Sequence, residues 1–344
     1  MHHSALTTLS TLLLLTPAFG QRGDGPRESN APQLQHFTVE QGTVASKTVR
    51  EGEAGFTIFL PKGYADAANK DRKYPWVLWL PGFGGSGEFT ERGGAEVLDR
   101  LRGEDKIAPI AFVVFKAPGR RGRSYYMNGE AAVDTEDLLT GDFLTELQTK
   151  YRLASEPKQR ALMGISAGGF GALKIALRHP ELFGAVAVHS AAVLPADPAE
   201  LDEQRAGMLQ RVLRSGISKE IGDPIDKAKW AAHMPMGLVA AKKPEELKGL
   251  QIYFDAGTAD DYGFCPPNEQ LSKRMTEAGH VHLFRKVEGG GHAFGSESMK
   301  DNLVHSLQFV SVALSGKNAV EAMSKKAEPA KVDAPKTDAP AGSK

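Results

Sequence analysis

A single cysteine, Cys265, in 344 residues excludes an intrachain disulfide framework and any thiolate metal cluster. It reads as a small packed residue rather than a reactive thiol. Net charge is missing as well. The 42 Lys and Arg balance 42 Asp and Glu, which leaves no electrostatic footprint for nucleic acid or an anionic membrane surface. No apolar run approaches the roughly 18 residues that a membrane-spanning helix needs. The phosphate-cradling pattern G-x-x-x-x-G-K-[ST] is absent, and so is any internal repeat. What remains is a chain with 41% hydrophobic residues, ample for a sizeable core, and the expectation is one soluble globular domain.

The ends differ from the middle. "MHHSALTTLSTLLLLTPAFGQ" has a short apolar run around Leu9 to Leu15, then Pro17 and the small-residue site Ala18-Phe19-Gly20, which is the pattern of a secretory signal peptide. His2 and His3 stand where Lys or Arg is usual. The reading is therefore a signal peptide over 1–20, a flexible Gly- and Pro-rich leader over 21–34, a domain over 35–315 and a disordered Ala/Pro/Lys-rich tail over 316–344. A secreted or periplasmic location follows from it.

Inside the domain, extended and helical patterns alternate. "GFTIFLP" (Gly55 to Pro61), "YPWVLWLPG" (Tyr74 to Gly82), "IAFVVFKAPG" (Ile110 to Gly119), "RALMGI" (Arg160 to Ile165), "GAVAVHSA" (Gly184 to Ala191), "LQIYFDAG" (Leu250 to Gly257) and "VHLFRKVEG" (Val281 to Gly289) read as strands. Continuous apolar runs of this length suit strands covered on both faces, as in a parallel sheet. Asp134 to Tyr151, with Leu139, Phe143, Leu147 and Tyr151 four apart, predicts a helix, as do Asn268 to Ala278 and Ser298 to Leu314. The fold class is α/β with a mostly parallel sheet flanked by helices, and 195–248 reads as a helical insertion.

"GISAG" (Gly164 to Gly168) matches G-x-S-x-G, a motif that chance places in roughly one chain in ten of this length. Its context is more specific. A strand-like "ALMGI" precedes Ser166, and a helix-like segment with Phe170, Leu173 and Leu177 on one face follows, which is the setting of a nucleophile turn. A serine hydroxyl needs a base, usually histidine, and a carboxylate to orient it. In α/β-hydrolases these follow in the order Ser, acid, His, each after a later strand. "TADDYGF" offers Asp260 or Asp261, with Asp260 preferred by position, and "EGGGHAFGS" offers His292. His189, at a strand end, is the second choice of base; His179 reads as a helix cap, His280 and His282 lie at the far end of a strand, and Asp255 reads as a strand-end residue that shapes its loop. Oxyanion donors are expected from the backbone N–H of Ala167 and, in the loop "WLPGFGGSGEF", from that of Phe83.

The segments "LPGFGGSGEF", "RSYYMNG", "GISAGGFGALKIALRHPELFGAVAVHS", "DAGTADD" and "GGGHAF" resemble the esterase D-like branch of the α/β-hydrolases, which includes S-formylglutathione hydrolases, feruloyl and acetyl-xylan esterases and mycolyltransferases. The resemblance spans about Thr57 to Phe309. It implies an α/β-hydrolase fold, the acid at Asp260 from a G-x-x-D pattern, and Ser124, Tyr125, Tyr126 and Asn128 near the substrate. Pro81 stands where the family's H-G-x loop has histidine, so the loop loses that side-chain support. The resulting expectation is a secreted serine carboxylesterase acting on short or aromatic acyl esters, small or carbohydrate-linked, without metal or organic cofactor. The same residues would serve an acyltransferase with an alcohol or sugar acceptor, and the fold alone would serve a carbohydrate-binding module.

Overall fold

Strand residues alternate between two cores, and this sets the architecture of the computed structural model, which describes residues 33–50, 52–119, 123–201, 203, 207, 218–292 and 297–327. In the strand Trp76–Leu80, the side chains of Trp76, Leu78 and Leu80 enter one hydrophobic cluster and those of Val77 and Trp79 the other. A period of two with both faces covered produces the unbroken apolar runs seen in the sequence.

Eight strands form one sheet: β1 Phe37–Val44, β2 Ala54–Pro61, β3 Trp76–Leu80, β4 Ala111–Lys116, β5 Arg160–Ile165, β6 Ala185–His189, β7 Gln251–Gly257 and β8 Leu283–Val287. Their spatial order is β1-β2-β4-β3-β5-β6-β7-β8. β1 pairs antiparallel with β2 and β2 antiparallel with β4, and every pairing from β4 to β8 is parallel. The helices are α1 Glu88–Glu91, α2 Gly94–Gly103, α3 Thr135–Thr140, α4 Asp142–Lys150, α5 Ala167–Arg178, α6 Ser218–Ile221, α7 Lys227–Ala231, α8 Pro235–Ala241, α9 Cys265–Glu277, α10 Glu297–Leu314 and α11 Ala319–Ala327. Residues of α3, α4, α5, α8 and α9 cover one face of the sheet, and those of α2, α10 and α11 cover the other. Among the described residues no helix is long and apolar enough to cross a membrane.

The mostly parallel sheet is as expected, with three local differences. β1, "FTVEQGTV", has no apolar period to betray it, because this edge strand buries only its two end residues. The helix expected over Asp134 to Tyr151 is two helices, broken at Gly141 with φ −119° and ψ −104°. The chain after Ser315 does not go straight into a tail. "AVEAMSKKA" forms α11, which buries Ala319 and Met323 against the sheet, since the apolar spacing outlasts the domain end inferred from the Pro-rich composition. The signal peptide and nearly all of the leader, the tail beyond 327 and part of the 195–248 insertion lie outside the described residues.

Candidate active site

β5 ends at Ile165, and Ser166 turns the chain into α5 with φ +57° and ψ −121°. A side-chain-bearing residue in this region costs on the order of 1–3 kcal/mol and survives only where its surroundings fix it. They do so here. The Ser166 N–H donates to the His189 carbonyl (3.0 Å), while the Ser166 carbonyl accepts from the Phe170 and Ala192 amides (2.9 and 3.0 Å). Two glycines make the turn possible. A Cβ on Gly164 would lie 2.5 Å from the Gly168 carbonyl oxygen, and one on Gly168 would lie 1.9 Å from that of Leu80. The start of α5 therefore crosses directly over the ends of β5 and β3, and Ser166 stays partly exposed above them.

Beyond β7, Asp260 is buried, and its Oδ2 lies 2.9 Å from Nδ1 of His292, which follows β8. Its other oxygen, Oδ1, accepts the Tyr262 N–H at 2.8 Å. Asp261 is exposed, so of the two acids the sequence offers, Asp260 is the one that meets the histidine. With the Nδ1 proton donated to Asp260, the lone pair of His292 sits on Nε2.

His189 is not an alternative base. It is wholly buried, with Nδ1 2.9 Å from Asp255 Oδ2 and Nε2 3.0 Å from the Ser306 hydroxyl, while Tyr253 donates its own hydroxyl to Asp255. Ser306, His189 and Asp255 form a second serine-histidine-aspartate chain, but it is sealed in the core. His189 and Asp255 are register partners in adjacent parallel strands, which places both side chains on the same sheet face, under α10. The chain ties together β6, β7 and α10.

The loop after β3 packs on the turn: a Cβ on Gly82 would be 3.2 Å from that of Ser166. Glu88, buried and paired with Arg92, accepts the Gly82 N–H at 3.0 Å. Among the described residues the amides of Phe83 and Ala167 donate to nothing. The Tyr126 hydroxyl donates to the Pro81 carbonyl (2.5 Å), and the Arg123 guanidinium donates to that of Phe83 (3.0 Å). The loop thus regains, from Glu88, Tyr126 and Arg123, the support that proline in place of histidine removes. Sequence reasoning missed Glu88, although it lies only six residues after Gly82.

The four residues expected near substrate have mostly internal partners. Ser124 is buried, with its hydroxyl 3.0 Å from both Glu130 Oε1 and the Thr135 hydroxyl. Tyr126 is buried at φ +59° against Gly171 of α5. Asn128 exchanges hydrogen bonds with Asp137. Tyr125 remains half-buried, its ring 5.0 Å from that of Phe83.

Glu130 organises this loop, its Oε1 accepting from the Ser124 hydroxyl and the Tyr125 and Met127 amides. Burial pushes its carboxyl up to about 7, against the opposing pull of those donors and of Lys174. A carboxyl raised on folding retains its proton in the folded state and loses it in the unfolded chain, so its contribution falls as pH rises from about 4.5 to about 7. Glu130→Gln keeps the acceptor oxygen and removes the titration. Unfolding measured at pH 5 and at pH 8 should show the variant gaining on the wild type by up to about 3 kcal/mol. A difference that does not change with pH would contradict this assignment.

Deeper still, Lys174 of α5 is wholly buried and donates to Glu136 (2.7 Å) and to the Tyr126 carbonyl (2.5 Å). Burial opposes the Glu136 charge, but His179, Lys174 and Arg178 hold its carboxyl well below the usual carboxylate range. This cluster anchors the Ser124 to Asn128 loop to the helix that carries Ser166. The hydrogen bond from His179 to Glu136 places that histidine in the same cluster.

Comparison with known proteins finds esterases. An esterase of Mycobacterium tuberculosis is 24% identical over 311 residues, 85% of this chain and 63% of that protein. The chain thus spans about 63% of the length of this curated relative. An endo-1,4-beta-xylanase/feruloyl esterase of Xylanibacter ruminicola is 27% identical over 157 residues, 44% of this chain and 21% of that protein. Among solved structures, a ferulic acid esterase superposes with TM-score 0.63 at 25% identity, covering 81% of this chain and 99% of its own. That likeness makes the fold an α/β-hydrolase fold. The family model described as "Putative esterase" matches residues 46–304, a span that holds Ser166, Asp260 and His292 alike, and the chain belongs to that esterase family.

Proposed function

We propose that the protein is a serine carboxylesterase in which Ser166 is the nucleophile, His292 the general base and acid, and Asp260 the carboxylate that orients the imidazole. The observation that carries this is the 2.9 Å contact between Asp260 and His292 Nδ1, two residues from separate loops that converge as the chain order Ser, acid, His requires. In acylation, His292 Nε2 takes the Ser166 hydroxyl proton as Oγ bonds to the acyl carbon, and the carbonyl oxygen becomes an oxyanion. The amides of Phe83 and Ala167 would receive that charge. When the carbon–oxygen bond to the alcohol breaks, His292 delivers its proton to the leaving oxygen. Water, deprotonated by the same nitrogen, then releases the acid and restores Ser166.

Short acyl or aromatic acyl groups, on small alcohols or on carbohydrate, are the substrates that the similarity to feruloyl esterases favours. The "LLLL" run and the Ala18-Phe19-Gly20 site support export, and with it an extracellular or periplasmic ester. The test is product analysis on methyl ferulate and a short p-nitrophenyl ester, with and without a millimolar sugar acceptor. The expected result is free acid equal to alcohol released under both conditions. Acylated sugar in place of free acid would make the protein a transferase, and no turnover of either ester would overturn the proposal.

A further inference from the structure

Large apolar side chains are seldom left in solvent here: among the described residues only Val39, Tyr262 and Val281 are prominently exposed. Tyr262 is 61% exposed, yet it is not loose. Its amide is held by Asp260 Oδ1 (2.8 Å), its ring centroid lies 4.5 Å from that of His292, and it stacks on Phe264 at 5.8 Å with the planes 14° apart. Phe264 is buried and lies 5.4 Å from His292, so it backs the exposed ring from within. The one carboxylate therefore holds the imidazole through one oxygen and the Tyr262 backbone through the other, while most of the Tyr262 ring beyond its contacts with His292 and Phe264 faces solvent.

The chemistry says what passes over that face. The proton that His292 accepts from Ser166 goes to the alcohol oxygen as its bond to the acyl carbon breaks, so the carbons of the alcohol must lie beside the imidazole. A tyrosine ring held against that imidazole is the surface they meet. We infer that Tyr262, backed by Phe264, forms the alcohol-side subsite of this site and selects leaving groups that present a flat ring, either the C–H face of a pyranose or an aryl group. The inference rests on the esterase reading above. An exposed ring face with a hydroxyl at its rim suits such groups better than short alkyl alcohols, which cannot cover it.

The experiment compares acetate esters of methanol, benzyl alcohol and a methyl pyranoside in the wild type, Tyr262→Ser and Tyr262→Phe. The readout is the selectivity ratio, kcat/KM of each ring-bearing ester over that of methyl acetate. The ratio should fall roughly 3- to 10-fold in Tyr262→Ser, through KM, and return in Tyr262→Phe. A fall confined to the pyranoside identifies a sugar subsite, and a fall confined to the benzyl ester an aryl one; either supports the inference. Unchanged ratios for both ring esters, whatever happens to overall activity, would overturn it. Ser166→Ala run alongside keeps the two readings apart, because turnover persisting in that variant would defeat the esterase reading itself.

Discussion

Ser166→Ala and His292→Ala should each lower kcat on a short acyl ester by about 10,000-fold or more, and the double variant should be no slower than the worse of the two. The non-additivity is the informative part. If His292 acts only by taking the proton from Ser166, a protein without the hydroxyl has nothing left for the base to do. Asp260→Asn should cost on the order of 10,000-fold as well, because an amide facing Nδ1 favours the tautomer that puts the proton on Nε2. Asp261→Asn, exposed beside it, should stay within about twofold, as expected of a surface position. Steady-state kinetics on the purified variants checks all of these. Additive losses at Ser166 and His292 would mean that the two residues do not act as a unit.

The second large effect is on folding. Gly168→Ala should destabilise the protein by about 3 kcal/mol or more, and with it misplace Ser166. The added methyl would sit 1.9 Å from the Leu80 carbonyl oxygen and 2.6 Å from that of Pro81. These are backbone atoms of β3 and the loop after it, so no rotamer change can make room. Gly249→Ala is the matched control, since nothing lies within 4 Å of its added methyl, and it should be close to neutral. Denaturant midpoints for the two variants test the contrast, and equal midpoints would refute the close crossing of α5 over β3.

How much of this could be read from residues alone depended on whether the signal was local. β8, at one edge, is only partly buried and is read from Leu283, Phe284 and Val287. The inner strands β3 to β6 announce themselves because both faces are covered and their apolar runs are nearly continuous. β1 does not, because an edge strand with an exposed middle has no pattern to display. The strained turn at Ser166 and the contact between Asp260 and His292 were legible because each residue follows a strand in a fixed chain order, and the small residues around Ser166 narrow the turn further. The supporting shell was not legible. Glu88 reaches back to Gly82, Glu130 holds the 124–128 loop, and Lys174 meets Glu136 across 38 residues, all through contacts that leave no periodic trace. His189 marks the opposite failure. At a strand end beside the site it had the credentials of a base, and only burial under α10 reveals that its partners are Asp255 and Ser306. Ser124 and Tyr126 likewise look like a polar aromatic binding loop in sequence, but in the fold they turn inward to hold the loop itself.

The central claim is that Ser166 is an activated nucleophile, and covalent titration addresses it most directly. A fluorophosphonate offers phosphorus to the serine oxygen and expels fluoride, and the resulting adduct cannot be cleared as an acyl group would be. Intact-mass analysis followed by peptide mapping should find one adduct per chain, located on Ser166, with loss of ester turnover in proportion to labelling and no adduct in Ser166→Ala. Full turnover in a chain that takes no label at Ser166, or the same labelling in Ser166→Ala, would contradict the account.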